Sequence, residues 1–416
     1  MAERLHVFTS AAVNYLPKVR ALCRSVRKYH PEAVITLALA DERPAWLTTE
    51  GEPFDHVVDV SQLDIPNWRA WTFFHNIVEL STAIKPFALK HLFKQPDCGT
   101  VLYLDPDIVV FSRLDDMLET LGRSNVVLTP HQTKPELTQE AVLDNEVTSL
   151  RVGVFNLGFI GVRNTPEGRR FADWWSLRTY HFCRAEIHHG LFTDQKWINF
   201  APIFFEGVTI VNTSRFNVAT WNLTTRRLTG DTVRGFAVDG QPLGFYHFTG
   251  FDSGAHRVMA VKNARGNESV QELITWYERE TAPVRGDAVN KWPWAFGQFS
   301  DGTPVLAHYR WMYREALDLQ RAFPNPYATG TEQMSFLDWS RSEGRVRFPW
   351  LFSKDGGSAA FAPAPAHSGI SPMMAVKLFL LMFTPKTGKS LRQRLVRMLR
   401  REGLAGIARR LRGHTG

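Results

Sequence analysis

The chain has 416 residues, 44% hydrophobic and 22% charged, a composition that excludes a disordered or fibrous protein and suggests two or three structural units. Its net charge of +8 is unevenly placed: residues 371–416 hold eleven Lys or Arg and one acid, Glu402, so they carry +10 and the remainder carries 8 − 10 = −2. The high isoelectric point therefore belongs to the C-terminal segment, which argues against nucleic acid as a partner of the body.

The first 250 or so residues alternate short apolar runs with amphipathic ones. LHVFTS (5–10) predicts a strand. Residues 17–29 predict a helix, with Val19, Leu22, Cys23 and Val26 at three- and four-residue spacing. VITLALAD (34–41) and HVVDV (56–60) predict two more strands. IKPFALKHLF (84–93) reads as a helix with Pro86 in its first turn. VLYLDPDIVVF (101–111) reads as a buried strand, and NVVLTP (125–130) as the next. GVFNLGFIGVRN (153–164) reads as a strand broken by glycines. Thr165 or Asn164 caps a following helix that begins at Pro166. Residues 267–280 and 308–323 also read as helices. The alternation predicts an α/β fold with helices flanking a mostly parallel sheet.

Residues 351–370 are small and proline-rich, the composition of a flexible linker. Beyond it, MMAVKLFLLMF (373–383) is too short to span a bilayer. Leu391, Leu395 and Leu399 then share one helical face among arginines. A basic amphipathic segment of this kind suits an anionic membrane surface; a solvated terminal helix, or a protein- or RNA-binding tail, is the alternative. No run of 18 apolar residues and no secretory signal pattern are found. Cys23, Cys98 and Cys183 form no Cys-x-x-Cys pair, which argues against a disulfide framework and fits a reducing compartment.

Asp105 and Asp107 lie in an apolar run, where unpaired carboxylates are costly. Residues two apart on an extended chain point the same way, and Pro106 holds Asp105 away from helical geometry. The pair is expected at the carboxyl end of a buried strand, where open α/β sheets bind ligands. Two carboxylates aimed at one point form a hard site for a divalent cation, which usually also holds phosphates. A haloacid-dehalogenase-type phosphatase also uses Asp-x-Asp after a strand. That motif opens its domain, however, whereas three strands precede it here, and no matching downstream Lys and acidic pair follow.

Several motifs in order resemble those of nucleotide-sugar glycosyltransferases of the GT-A type, and within them family eight, the glycogenin-like and lipopolysaccharide galactosyltransferase-like group. They are YLDPDIVVF, FNLGFIGV, FTDQKWIN, NTSRFNVATWNL and YHFTG, and the resemblance covers about residues 5–260. It implies a GT-A, Rossmann-like catalytic domain over 1–260; residues 261–350 lie beyond it and read as a mainly helical extension, a candidate acceptor side. It implies Asp105, Asp107 and His247 as ligands of a divalent cation; the imidazole favours Mn²⁺ over Mg²⁺. Asp194 and Gln195 are implied at the reaction centre, the first on donor-sugar hydroxyls and the second near the anomeric carbon.

The same resemblance assigns Thr9, Asn14 and Tyr15 to the base and ribose and Lys85 to donor phosphates or sugar. It assigns Asn156 to donor or acceptor sugar, Gly158 to a close backbone approach, and Gly250 to the late His-x-x-Gly motif. The implied activity is retaining hexosyl transfer from a nucleotide sugar, UDP-linked, to a glycan or lipid-linked acceptor in cell-surface polysaccharide or lipopolysaccharide assembly. The implied location is cytoplasmic, at the inner face of a membrane. A catalytically silent scaffold or glycan-binding module of the same fold is the alternative.

The chain departs from the family pattern at two places. Ala12 stands where an Asp is common. GFDSGAHR follows His-x-x-Gly where some relatives have Lys-Pro-Trp, leaving His256 or Arg257 as stand-ins. Residues 292–317 offer Trp side chains for an acceptor site or for plain packing. His188 and His189 are adjacent and read as a loop feature.

Overall fold

The apolar runs form strands β1 (Arg4–Ala11), β2 (Val34–Leu39), β3 (His56–Asp59), β4 (Cys98–Leu104), β5 (Ile108–Val110), β6 (Val126–Pro130), β7 (Phe155–Arg163) and β8 (Val208–Ile210), followed by β9 (Leu228–Asp231), β10 (Gly235–Val238), β11 (Gln241–Pro242) and β12 (Phe245–His247). In this computed structural model the described residues are 3–282, 288–330 and 332–352. Residues 1–348 fall in one compact unit and 349–416 in another. The expected basic tail and nearly all of the expected linker lie outside the described residues.

Seven strands make the main sheet, in the order β3-β2-β1-β4-β7-β6-β8. The pairs β3–β2, β2–β1, β1–β4 and β6–β8 are parallel; β7 runs antiparallel to both of its neighbours. Helices cover the sheet, so its inner strands are buried without alternation: β2 is buried at every position. The principal helices are α1 (Leu16–Tyr29), α2 (Lys85–Leu92), α3 (Pro166–Phe182), α4 (Glu268–Glu280), α5 (Ala307–Glu315) and α6 (Leu317–Ala322). Pro17 and Pro86 sit in first turns, where a missing N–H costs nothing. Thr165 caps α3 by accepting from Gly168 N at 3.0 Å. The α/β class and the mostly parallel sheet are as expected, and the three cysteines are buried and free.

Three local expectations are corrected. The stretch 101–111 is two strands, not one: β4 ends at Leu104, and β5 joins a separate two-stranded sheet with β12. β7 is continuous rather than broken. A side chain at Gly161 would come within 2.9 Å of Leu121, so the glycine makes room for packing instead of a kink. The helix expected over 308–323 divides at Ala316, whose backbone is extended. Gln320 Nε2 donates to the carbonyls of Tyr313 (3.1 Å) and Arg314 (3.0 Å), satisfying groups exposed by the break.

The helical extension belongs to the same compact unit as the sheet. Asp41, just beyond β2, accepts from Val13 N at 3.2 Å and Ala295 N at 2.9 Å. Buried Arg310 donates to the carbonyls of Phe73 (3.2 Å) and Phe296 (2.7 Å). Phe73 in turn meets Phe299, Tyr313, Tyr327 and Phe336 in tilted or edge-on contacts.

His75 lies in this seam, donating from Nδ1 to Trp71 O at 3.0 Å. Burial, aided by the nearby positive charge of Arg314, pushes its pKa from 6.5 down to about 3. The unfolded chain therefore takes up a proton first. Stability supplied by neutral His75 is complete above pH 6.5 and is lost as pH falls toward 3. Urea titrations from pH 7 to 4 should show a shallower acid-side loss of stability for His75→Gln than for the wild type; equal slopes would contradict this.

Candidate functional site

The site is built where β4 leaves the sheet. The chain turns at Asp105-Pro106-Asp107, with Ile108 N donating to Asp105 O at 2.9 Å. Asp105 N donates to Gly158 O at 2.8 Å, tying the turn to β7. The two carboxylates converge through this turn rather than through the side-chain alternation of a strand. β5 then pairs antiparallel with β12, placing His247 opposite Ile108. His247 Nε2 stands 3.0 Å from Asp107 Oδ1 and 3.7 Å from Asp105 Oδ2. One ligand atom from each of these three residues lies within 4.8 Å of the others, a grouping able to hold a metal ion.

The orientation of His247 is set from behind. Its Nδ1 lies 3.1 Å from Asn156 Oδ1, which also accepts from Gly158 N at 3.2 Å. An amide oxygen only accepts, so Nδ1 carries the proton and Nε2 is presented to the carboxylates. Asn156 Nδ2 is directed at His131 Nε2, 3.2 Å away. A Cβ on Gly158 would come within 2.5 Å of the His247 ring, so the space above this glycine is filled by the imidazole. Burial opposes protonation of His247, but the Asp107 carboxylate outweighs it and raises the pKa. Burial likewise opposes ionisation of Asp107, and the charge and hydrogen bond of His247, with smaller help from Lys18 and the backbone, together outweigh it and lower the pKa.

A second buried group adjoins the first. Lys85, at the start of α2, is 2% exposed. Its ammonium lies 3.2 Å from Asp105 Oδ1 and 3.3 Å from Asp194 Oδ2, and donates to Leu157 O at 3.1 Å. It also sits 4.3 Å above the ring of Tyr103, whose hydroxyl donates to Asp105. Burial would neutralise Lys85, but Asp105 and Asp194 reverse this and raise its pKa. Asp194 is 1% exposed; burial lifts its pKa to about 6, which Lys85 only partly offsets.

Asp194 stands at the start of a short helix, but its side chain makes no capping hydrogen bond. It follows Thr193, a β-branched residue at φ +45°, where strain of about 1–3 kcal/mol is typical. Gln195 Oε1 accepts from Leu157 N at 3.0 Å and its Nε2 donates to Val152 O at 3.1 Å. Lys85, Asp105, Asn156, Gly158, Asp194, Gln195 and His247 thus line one cavity of about 380 Å³.

The remaining expected residues do not line that cavity. Thr9 Oγ1 and Asn14 Oδ1 are buried without a hydrogen-bond partner in the protein. Tyr15 donates its hydroxyl to Asp252 at 2.8 Å. Gly250 has φ +70° in the loop after β12, a conformation that favours glycine. Neither stand-in for the absent Lys-Pro-Trp motif supplies a cation. His256 is buried against Thr249 O at 3.1 Å, with its pKa pushed down to about 4, and Arg257 pairs with Glu278. His189 pairs with Glu186 in an exposed turn. Trp294 donates to Ala40 O at 2.9 Å and underlies Arg310, so it serves packing.

His131 and Trp221 also line the cavity; Trp221 belongs to the NTSRFNVATWNL stretch without having been singled out there, and no motif marked His131. The Trp221 ring lies edge-on to both His247 (5.5 Å) and His131 (5.4 Å).

No family model matches the chain. It is 25% identical over 256 residues to the uncharacterized protein YfnD of Bacillus subtilis (strain 168), covering 60% of this chain and 76% of that protein. It is 25% identical over 181 residues to the uncharacterized protein YfnF of the same organism, covering 42% of this chain and 57% of that one. Among solved structures it is similar to the galactosyltransferase LgtC in complex with donor and acceptor sugar analogs. The identity is 21%, with 67% of this chain and 99% of that chain covered, and the TM-score is 0.41. It is also similar to mouse xyloside xylosyltransferase 1 in its apo form, at 13% identity, 60% and 99% coverage and a TM-score of 0.37.

The packing of Gly158 on His247 makes a direct test available. Gly158→Ala should fold, yet displace the imidazole and weaken Mn²⁺ binding about tenfold or more by calorimetry. Unchanged affinity would show that His247 is not a ligand.

Proposed function

We propose that this chain is a metal-dependent, retaining glycosyltransferase that moves a hexose from a UDP-linked sugar to a glycan or lipid-linked acceptor in cell-surface polysaccharide or lipopolysaccharide assembly. The observation that carries the proposal is the convergence of Asp105, Asp107 and His247 beside the buried Lys85–Asp194 pair. Two carboxylates and an imidazole with its far nitrogen already engaged fit a divalent cation, Mn²⁺ ahead of Mg²⁺. Bound there, the cation supplies Lewis-acid neutralisation of a nucleoside diphosphate leaving group.

The protein's own groups do the rest. Lys85 keeps Asp105 and Asp194 in fixed positions and adds positive charge beside the diphosphate. Asp194 accepts from donor-sugar hydroxyls from the wall of the cavity. Gln195, clamped by Leu157 N and Val152 O, presents a rigid face near the anomeric carbon. Asn156 and Gly158 act through His247, one orienting its ring and the other making room for it. Thr9, Asn14 and Tyr15 lie on the base and ribose side, where the unpaired oxygens of the first two are acceptors for a ligand. In a front-face substitution the leaving phosphate takes the acceptor proton, so no separate protein base is needed.

Residues 371–416 hold the enzyme at the anionic inner face of a membrane, where lipid-linked acceptors are assembled. Among the described residues no helix is long and apolar enough to cross a bilayer.

The test is hydrolysis of UDP-sugars with Mn²⁺ present. Asp107→Asn, which keeps the shape but removes the charge, should lower kcat by about a hundredfold or more while the circular dichroism spectrum is unchanged. Equal rates would contradict the proposal.

A further inference from the structure

Lys18 lies on α1 beside the buried apolar residues Val19, Leu22 and Val26, and is itself only 7% exposed. Removing an ammonium from water costs several kcal/mol unless it is well paired. Its partner is Asp252, whose side chain is 58% exposed, and its ammonium also sits 4.3 Å above the Tyr15 ring. The Tyr15 hydroxyl donates to the same Asp252 carboxylate at 2.8 Å. One carboxylate thus receives two donors that are fixed at the start of α1. An ion pair with so exposed a carboxylate is a weak reason to bury a lysine.

The place of this cluster explains it better. Asp252 belongs to the loop that leaves β12 just after His247, and Phe248 N donates to Asp107 O at 2.9 Å. The loop therefore starts at the metal-ligand turn. Gly250 and Gly254, at φ +70° and +76°, bracket Asp252 and form its bends. Lys18 is tied to this loop through Asp252. The two stand-ins for the absent Lys-Pro-Trp motif are engaged away from the site: His256 with Thr249 O and Arg257 with Glu278.

We propose that Lys18, steadied over Tyr15, is a diphosphate ligand of this site, and that Asp252 occupies its seat as an internal anion until the donor phosphate displaces it. The proposal rests on the nucleotide-sugar reading above. It assigns the phosphate cation to α1 rather than to the segment after His-x-x-Gly, and it makes Asp252 a competitor rather than a support.

The two residues should therefore act with opposite signs. Calorimetry would follow Mn²⁺ alone, then pyrophosphate and UDP in saturating Mn²⁺, for wild type, Lys18→Met, Lys18→Arg and Asp252→Asn. Lys18→Met should bind Mn²⁺ normally but lose about tenfold or more in affinity for both phosphates, as removal of a charge-assisted contact implies. Lys18→Arg should recover most of that affinity, which separates lost charge from misfolding. Asp252→Asn should bind pyrophosphate more tightly than wild type. Wild-type affinity in Lys18→Met, or weaker binding in Asp252→Asn, would overturn the proposal. A wild-type protein that binds no Mn²⁺ would defeat the metal reading itself, and the phosphate seat with it.

Discussion

The pairing of β5 with β12 is the contact on which the site depends. It sets His247 opposite Ile108 and so brings an imidazole to the turn that holds Asp105 and Asp107. Without it, Asp105 would keep Lys85 and the Tyr103 hydroxyl, but Asp107 would lose its ion-pair partner. With it, charge of both signs meets at one point, and the mutual attraction offsets the cost of burial. The core that anchors β5 includes residues of α1, β1, β2 and β4, so the site rests on a buried apolar core shared with the main sheet.

Each charged group there is fixed by an atom that itself has little freedom. Asn156 holds His247, and Gly158 N holds the amide oxygen of Asn156. Leu157 lends its carbonyl to Lys85 and its N–H to Gln195, so a single residue of β7 positions both halves of the site. This is preorganisation built from a strand, which positions groups more rigidly than loops do. The strained backbone at Thr193 is part of the same cost, because it turns Asp194 inward toward Lys85 instead of leaving it to cap a helix.

Much of this was legible in the residues because the relevant signals are local. Continuous apolar runs marked the buried strands, and Pro17, Pro86 and Thr165 marked helix starts where the structure has them. The Asp-Pro-Asp stretch was recognisable as an acidic pair at a strand end. Its geometry was not, because a short apolar run on either side of a turn looks like one strand. The convergence of the carboxylates depends on that turn and on a pairing with β12 far along the chain. Gly158 was readable as a place of close approach, but what approaches it, the His247 ring, follows only from that long-range pairing. His131 and Lys18 carry no motif at all, and Trp221 was unmarked within NTSRFNVATWNL; their roles follow from what the fold sets beside them. The break at Ala316 was hidden because the carbonyls it frees are satisfied by Gln320.

The central claim is that Asp105, Asp107 and His247 bind one divalent cation through two carboxylates and a single imidazole nitrogen. Pulsed electron paramagnetic resonance of the Mn²⁺-loaded protein reads that nitrogen directly. The expected result is one tightly bound Mn²⁺ per chain, with a nitrogen modulation that disappears in His247→Gln. Absence of stoichiometric Mn²⁺, or a nitrogen modulation that persists in His247→Gln, would contradict it.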